Sequence, residues 1–188
     1  NNFFLDIGTK KNFKFAQKNL INYLKKPALF LDRDGTINKD LGYTYKIKDL
    51  IFKNEVSKGL KYVSEKNFYI FIITNQSGIG RGFFKLKDFE KFQLEMKKIF
   101  LKKNIFINDV EYCPFHPNAK IKKYQKSTSL RKPGNKMIIN ILKNWPIDIK
   151  KSSMIGDKIS DEKCAKKSKI KFYYTNNSFL KICKKISS

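Results

Sequence analysis

Two carboxylates with one residue between them, Asp32 and Asp34, follow directly on the apolar run 28–31. Side chains two apart on an extended strand point to the same side, so both can face one reacting centre from the strand's carboxyl end. Gly35 then permits a sharp turn without a Cβ penalty. Four strand ends read as carrying polar groups of this kind: Asp32/Asp34, Thr74/Asn75, Arg131/Lys132 and Asp157/Lys158. The chemistry they suit is phosphoryl transfer to a carboxylate. Asp32 would attack phosphorus and become an aspartyl phosphate. An anion approaching a phosphate dianion is repelled, so positive charge is needed close by. A Mg²⁺ ion held by Asp32, Asp157 and the main-chain carbonyl of Asp34 would supply it, since hard oxygen ligands and retained waters suit that ion. Lys132 and Thr74 would stabilise the transferring oxygens. Asp34 would protonate the leaving alkoxide and then activate the water that cleaves the acyl phosphate.

The elements that must position these groups alternate. Continuous apolar runs at 28–31 and 68–73 read as buried strands, and 110–112, 153–155 and 170–174 read as three further short strands. Between them, helical spacing appears at 55–66, 86–103, 135–145 and from Asp161 through Ala165, with a terminal helix marked by Phe179, Ile182, Cys183 and Ile186. Strands alternating with helices predict an α/β three-layer sandwich with a parallel, Rossmann-like sheet of about five strands. Parallel strands deliver their carboxyl ends to one edge, where open sheets bind ligands. The segment 39–45 is too short for a cap domain and reads as a loop or small flap. The stretch 74–82, Thr-Asn-Gln-Ser-Gly-Ile-Gly-Arg-Gly, reads as a glycine-rich loop whose donors and open backbone could surround a phosphate.

The chain has 188 residues, enough for one main domain with a sizeable core. No apolar run approaches the ~20 residues that span a membrane, and no secretory leader is present, so a membrane partner is not expected. Cys113, Cys164 and Cys183 are odd in number and lack paired spacing, which favours a reducing cytoplasm over a disulfide framework. The net charge of +25 would ordinarily raise nucleic acid as a partner. Yet there are three arginines against 38 lysines, and the lysines are spread along the whole chain. A phosphate-reading surface would use arginine's fork more freely. The enriched types, Lys, Asn, Ile, Phe and Tyr, share A/T-rich codons, so we read the charge as compositional and expect no nucleic-acid partner and a monomer.

The motifs D-R-D-G-T-I-N, T-N-Q-S-G-I-x-R-G, C-P-x-H-P, R-K-P and G-D-K-x-x-D span residues 28–161. Together they resemble the haloacid dehalogenase-like phosphatases, most closely the small uncapped branch that includes heptose bisphosphate and histidinol-phosphate phosphatases. The resemblance implies Asp32 as nucleophile, Asp34 as acid/base, and Thr74 and Lys132 as phosphoryl stabilisers. It implies Mg²⁺ at Asp32, Asp34 and Asp157, with Asp161 supporting them from behind. Substrate contacts would come from Asp40, Leu41, Gly42 and Tyr43, from Asn75, Gln76 and Ser77, and from Arg81, Arg131 and Lys158. The implied substrate is a small phosphorylated sugar, first a heptose bisphosphate. Histidinol phosphate, a polynucleotide 3′-phosphate, or a non-catalytic role beside a transferase domain are the alternatives. Residues 1–26 stand apart from 27–188. Their phrase Leu5-Asp6-Ile7-Gly8-Thr9 resembles the end of a sugar-phosphate nucleotidyltransferase domain, which implies a covalently linked upstream partner.

One departure concerns a structural zinc. The branch holds it with a Cys and a His in C-P-H-H-P and two Cys in C-x-C ahead of R-K-P. Here Phe115 stands at the histidine's position and Thr128-Ser129-Leu130 replaces C-x-C. Cys113 and His116 leave two ligands where a closed site needs four, so no zinc is expected. The loop 114–130 must then be ordered by packing or stay mobile.

Overall fold

The computed structural model describes residues 6–187; Leu5, at the start of the N-terminal phrase, lies outside the described residues. Five strands form one sheet: β1 (Ala28–Leu31), β2 (Tyr69–Asn75), β3 (Asp109–Cys113), β4 (Ser153–Gly156) and β5 (Lys171–Tyr174). The order is β3-β2-β1-β4-β5 and every pairing is parallel. Phe30 of β1 lies level with Phe71 of β2 and Met154 of β4. All four β1 residues are buried, which is why the strand reads as an unbroken apolar run.

Among the described residues seven α-helices accompany the sheet: α1 (Lys10–Tyr23), α2 (Val56–Glu65), α3 (Ser77–Arg81), α4 (Leu86–Leu101), α5 (Lys136–Asn144), α6 (Ile159–Lys167) and α7 (Phe179–Ile186). Alternate β1 residues serve opposite layers. Leu29 and Leu31 pack with Leu60, Phe92 and Phe179 of α2, α4 and α7, whereas Ala28 and Phe30 pack with Ile138 and Cys164 of α5 and α6. The central strands of the sheet are therefore covered on both faces, while the edge strands β3 and β5 are partly exposed. The chain runs outward from β1 to β3 and then crosses to β4 on the other side of β1. The carboxyl ends of β1 and β4 thus flank the point where strand order reverses, the crevice in which open sheets hold ligands.

The lead-in helix α1 buries only Ala16; just after it Leu24 O accepts the Tyr69 hydroxyl at 3.4 Å and Lys26 pairs with Ile147. The loop 114–130 is ordered by packing. Phe115 and Tyr124 meet ring to ring at 5.7 Å, Lys126 Nζ lies 4.2 Å from the Phe115 ring centre, and the Ile121 amide donates to Gly80 O.

Candidate active site

β1 delivers Asp32 to the cleft, and the turn after it is set by Arg33, whose carbonyl accepts the amides of Thr36, Ile37 and Asn38. Gly35 has φ +84°, and any Cβ there would overlap the Asp157 carboxylate. Glycine is required both for the left-handed backbone and for the approach of β4's carboxylate to β1's. Gly156 serves the same end: a Cβ there would lie 2.7 Å from Asp161 Oδ2. Carboxylate oxygens of Asp32, Asp157 and Asp161 consequently lie within 4.8 Å of one another.

One buried lysine pairs with two of these three carboxylates, Asp32 and Asp161. Lys132 Nζ donates to Asp32 Oδ1 at 2.6 Å and to Ile73 O at 2.9 Å, and pairs with Asp161 Oδ1 at 2.7 Å. The ammonium is buried, and the two carboxylates beside it hold it charged, pushing its pKa up to about 12 against that burial. Burial pushes the Asp32 carboxyl up to about 7 although Lys132 opposes it, and burial raises Asp157 as well. When ionised, the three acids outweigh the charge of Lys132, and Lys158, the other cation that acts on Asp157, is bonded to Asp40. Asp157 Oδ1 is buried with no hydrogen-bond partner. An all-oxygen donor set with excess negative charge and an unpartnered buried oxygen fits a hard divalent cation.

The expected residues converge unequally. Asp32, Asp34, Thr74 and Lys132 all line one cleft of about 300 Å³, and Asp40, Gly42, Tyr43, Ser77, Arg131 and Lys158 line its outer part. Lys158 Nζ reaches across to Asp40 Oδ2 at 3.1 Å. Leu41 does not line the cleft; it is exposed, because Gly42 and the left-handed Tyr43 turn the loop inward only after it. Arg81 lies away from the cleft as well, with Nη2 3.2 Å from His116 Nε2.

Asn75 and Gln76 border the cleft, but their polar groups are spent inside the protein. Asn75 exchanges two hydrogen bonds with the Lys132 backbone, at 3.0 and 3.1 Å, and so clamps that lysine to β2. Gln76 Nε2 donates to Thr74 Oγ1 at 2.9 Å and to Asp34 Oδ2 at 2.8 Å. Because Thr74 accepts from Gln76, its own hydrogen is left to donate into the cleft.

Two readings of the sequence are corrected by the structure. Arg131 and Lys132 are not at a strand end but in the turn before α5, brought in by the Asn75 clamp. Residues 77–81 form helix α3, not an open phosphate loop. Its glycines serve packing: a Cβ on Gly78 would lie 2.8 Å from Tyr43 Cδ1, and one on Gly80 would lie 2.5 Å from Pro114 O. Asp161, expected to support the ion site from behind, brings an oxygen within 4.8 Å of oxygens of Asp32 and Asp157, pairs with Lys132 through Oδ1, and through Oδ2 accepts the Lys158 amide and caps α6. The side chain of Asp34, by contrast, is outside that group of three carboxylates.

Three participants escaped the sequence reading. Ser160, in the first turn of α6, lines the cleft. Lys53 Nζ donates to Gly35 O at 2.7 Å and steadies the aspartate turn. Arg33 is wholly buried against Asp34. Only Arg33 carried a signal, as one of three arginines in a lysine-rich chain.

A family model described as haloacid dehalogenase-like hydrolase matches residues 119–175. A D-glycero-beta-D-manno-heptose-1,7-bisphosphate 7-phosphatase from Photorhabdus laumondii is 38% identical over 144 residues, covering 77% of each chain. The D-glycero-alpha-D-manno-heptose-1,7-bisphosphate 7-phosphatase of Campylobacter jejuni is 39% identical over 138 residues, covering 73% of this chain and 75% of that one. In fold, the chain is similar to D,D-heptose 1,7-bisphosphate phosphatase from B. bronchiseptica, solved with magnesium and phosphate. The TM-score is 0.72 at 19% identity, over 85% of this chain and 86% of that one.

Proposed function

The chain belongs to the heptose-1,7-bisphosphate 7-phosphatase family of haloacid dehalogenase-like hydrolases, and on that premise we propose that it removes the 7-phosphate of D-glycero-D-manno-heptose 1,7-bisphosphate through a phosphorylated Asp32. The observation that carries this reading is the buried Asp32–Lys132 pair at 2.6 Å beside Asp157, at the crevice between β1 and β4.

Asp32 Oδ attacks phosphorus, and the bond from phosphorus to the sugar oxygen breaks. Asp34 transfers a proton to that oxygen, so the sugar leaves as an alcohol. Lys132 and the Thr74 hydroxyl face the phosphoryl oxygens and offset the charge that gathers there. In the second half Asp34 takes a proton from water, the water attacks phosphorus, and phosphate departs from Asp32. Magnesium, held by Asp32, Asp157 and the Asp34 carbonyl with Asp161 alongside, would neutralise phosphate charge when bound. Arg131, Lys158 and the loop 40–43 sit where the rest of the sugar, with its second phosphate, would lie.

Residues 27–188 form the phosphatase domain in this reading, and 1–26 lead into it. Support comes from α1, which buries almost nothing on the body. The D-I-G-T phrase makes a nucleotidyltransferase the proposed upstream neighbour.

The test is phosphate release with Mg²⁺ from both anomers of the heptose bisphosphate, from histidinol phosphate and from a 3′-phosphorylated oligonucleotide. Expected is turnover of a heptose bisphosphate at least ~10-fold above the others in kcat/KM, lost in Asp32→Asn. A preference for either other substrate overturns the assignment.

A further inference from the structure

Asp34 is held by donors on both oxygens. Oδ1 accepts from Arg33 Nε at 3.0 Å and Asn38 Nδ2 at 2.9 Å. Oδ2 accepts from Arg33 Nη2 at 2.7 Å and Gln76 Nε2 at 2.8 Å. The arginine's contact is thus a two-point fork that fixes the plane of the carboxylate as well as its position.

Arg33 differs from the two amides in having no freedom of its own. It is the bulkiest fully buried side chain described, at 0% exposure. Its guanidinium carbon lies 4.7 Å from the Phe92 ring centre and 5.6 Å from that of Phe89, both on α4. Nη2 also donates to Thr44 O at 2.6 Å and to Gln76 Oε1 at 3.3 Å. Thr44 closes the loop that carries Asp40, Gly42 and Tyr43, and its hydroxyl accepts the Leu41 amide. One buried side chain therefore joins the core helix α4, the substrate-side loop and the carboxylate.

We propose that Arg33 is a positioning residue: its fork holds the Asp34 carboxylate, here ionised and accepting from four donors, in register with the substrate-side loop, so that when one of the two amides, Asn38 or Gln76, gives up its bond to make room for the proton, transfer to the leaving oxygen occurs in one geometry. It touches neither substrate nor phosphorus and acts through Asp34. The proposal rests on the phosphatase reading with Asp34 as acid/base. Burying a full guanidinium is costly unless its charge is paired, and removal of about 1 Å of registry at a reacting group can cost ~10²-fold in rate.

The test compares kcat/KM, which reports steps up to release of the alcohol, for a sugar phosphate and for p-nitrophenyl phosphate. The latter leaves without needing a proton. Arg33→Met keeps the volume between Phe89 and Phe92 and removes the fork; Arg33→Lys keeps the charge but offers a single point. Expected for Arg33→Met is a loss of about 30–100-fold on the sugar phosphate and under about 3-fold on p-nitrophenyl phosphate, with Arg33→Lys between it and the parent. In an Asp34→Asn background Arg33→Met should cost less than about 2-fold more, because the interaction it serves is already gone. Equal losses on the two substrates, or full multiplication of the losses in the double variant, overturn the proposal. If Arg33→Met does not fold, Arg33→Lys through the same cycle decides. Should Asp34→Asn itself show no preference between the substrates, the acid/base reading fails instead, and the two failures are told apart.

Discussion

At the scale of single residues the site is governed by a charge imbalance. Three carboxylates cluster where one buried ammonium pairs with two of them, and burial raises the Asp32 carboxyl from its ordinary 3.8 to about 7. Between those values the folded chain keeps a proton that the unfolded chain releases. The stability this proton contributes is complete below about pH 4 and is lost as pH rises through 7. Asp32→Asn cannot suffer that loss. Without magnesium, the melting temperature of Asp32→Asn should therefore draw ahead of the parent's between pH 4 and 7.5, while activity is abolished. Thermal melts of the two proteins across that range check this. A gap that does not widen with pH would show that the carboxylate is ionised without cost. Residues written into the sequence as substrate contacts can instead be structural: Asn75 holds Lys132, and Gln76 holds Thr74 and Asp34.

At the scale of elements, the helices and strands follow from apolar spacing, whereas the loops follow from contacts that spacing does not encode. The loop 114–130 shows the difference. Its histidine position is filled by Phe115, which meets Tyr124 and lies under Lys126. An aromatic pair contributes about 0.5–1.5 kcal/mol and a cation over a ring about 0.5–1 kcal/mol. Phe115→Ala should thus weaken the loop's closure by about 1–2 kcal/mol, roughly a tenfold rise in local opening. Limited proteolysis should show faster cleavage within 118–127 while the melting of the body barely moves. Unchanged cleavage would mean that the loop is held by Ile121 and Ala119 on α3 rather than by the ring pair. Helix α3 makes the same point from the other side: a Gly-Ile-Gly sequence that suits an open loop becomes helical because Phe84, Tyr43 and Pro114 close around it.

At the scale of the whole molecule the parallel sheet makes the site. A cation that binds only the folded cluster should stabilise the entire domain by mass action, about 2.7 kcal/mol at a hundred times its dissociation constant. Magnesium should raise the melting temperature of the parent protein, and Asp157→Asn should reduce that rise, since Asp157 supplies the unpartnered buried oxygen. Equal rises in both proteins would place the ion elsewhere. None of the described helices is long and apolar enough to cross a membrane. The sequence by itself determined the alternation of strands and helices, and with it the five-stranded parallel sheet. It also determined that Asp32, Thr74 and Asp157 gather at one edge, because apolar runs and the residues that end them are local properties of a chain, whereas Lys132 is brought there from the turn before α5 by Asn75. Only the tertiary structure decided which polar side chains face the cleft and which are consumed within the protein. Asn75, Gln76, Arg33 and Asp161 have hydrogen-bond or ion-pair partners up to 57 residues away, and Lys132 and Asp32 lie 100 apart; burial forces each such group to find a partner that no local pattern names.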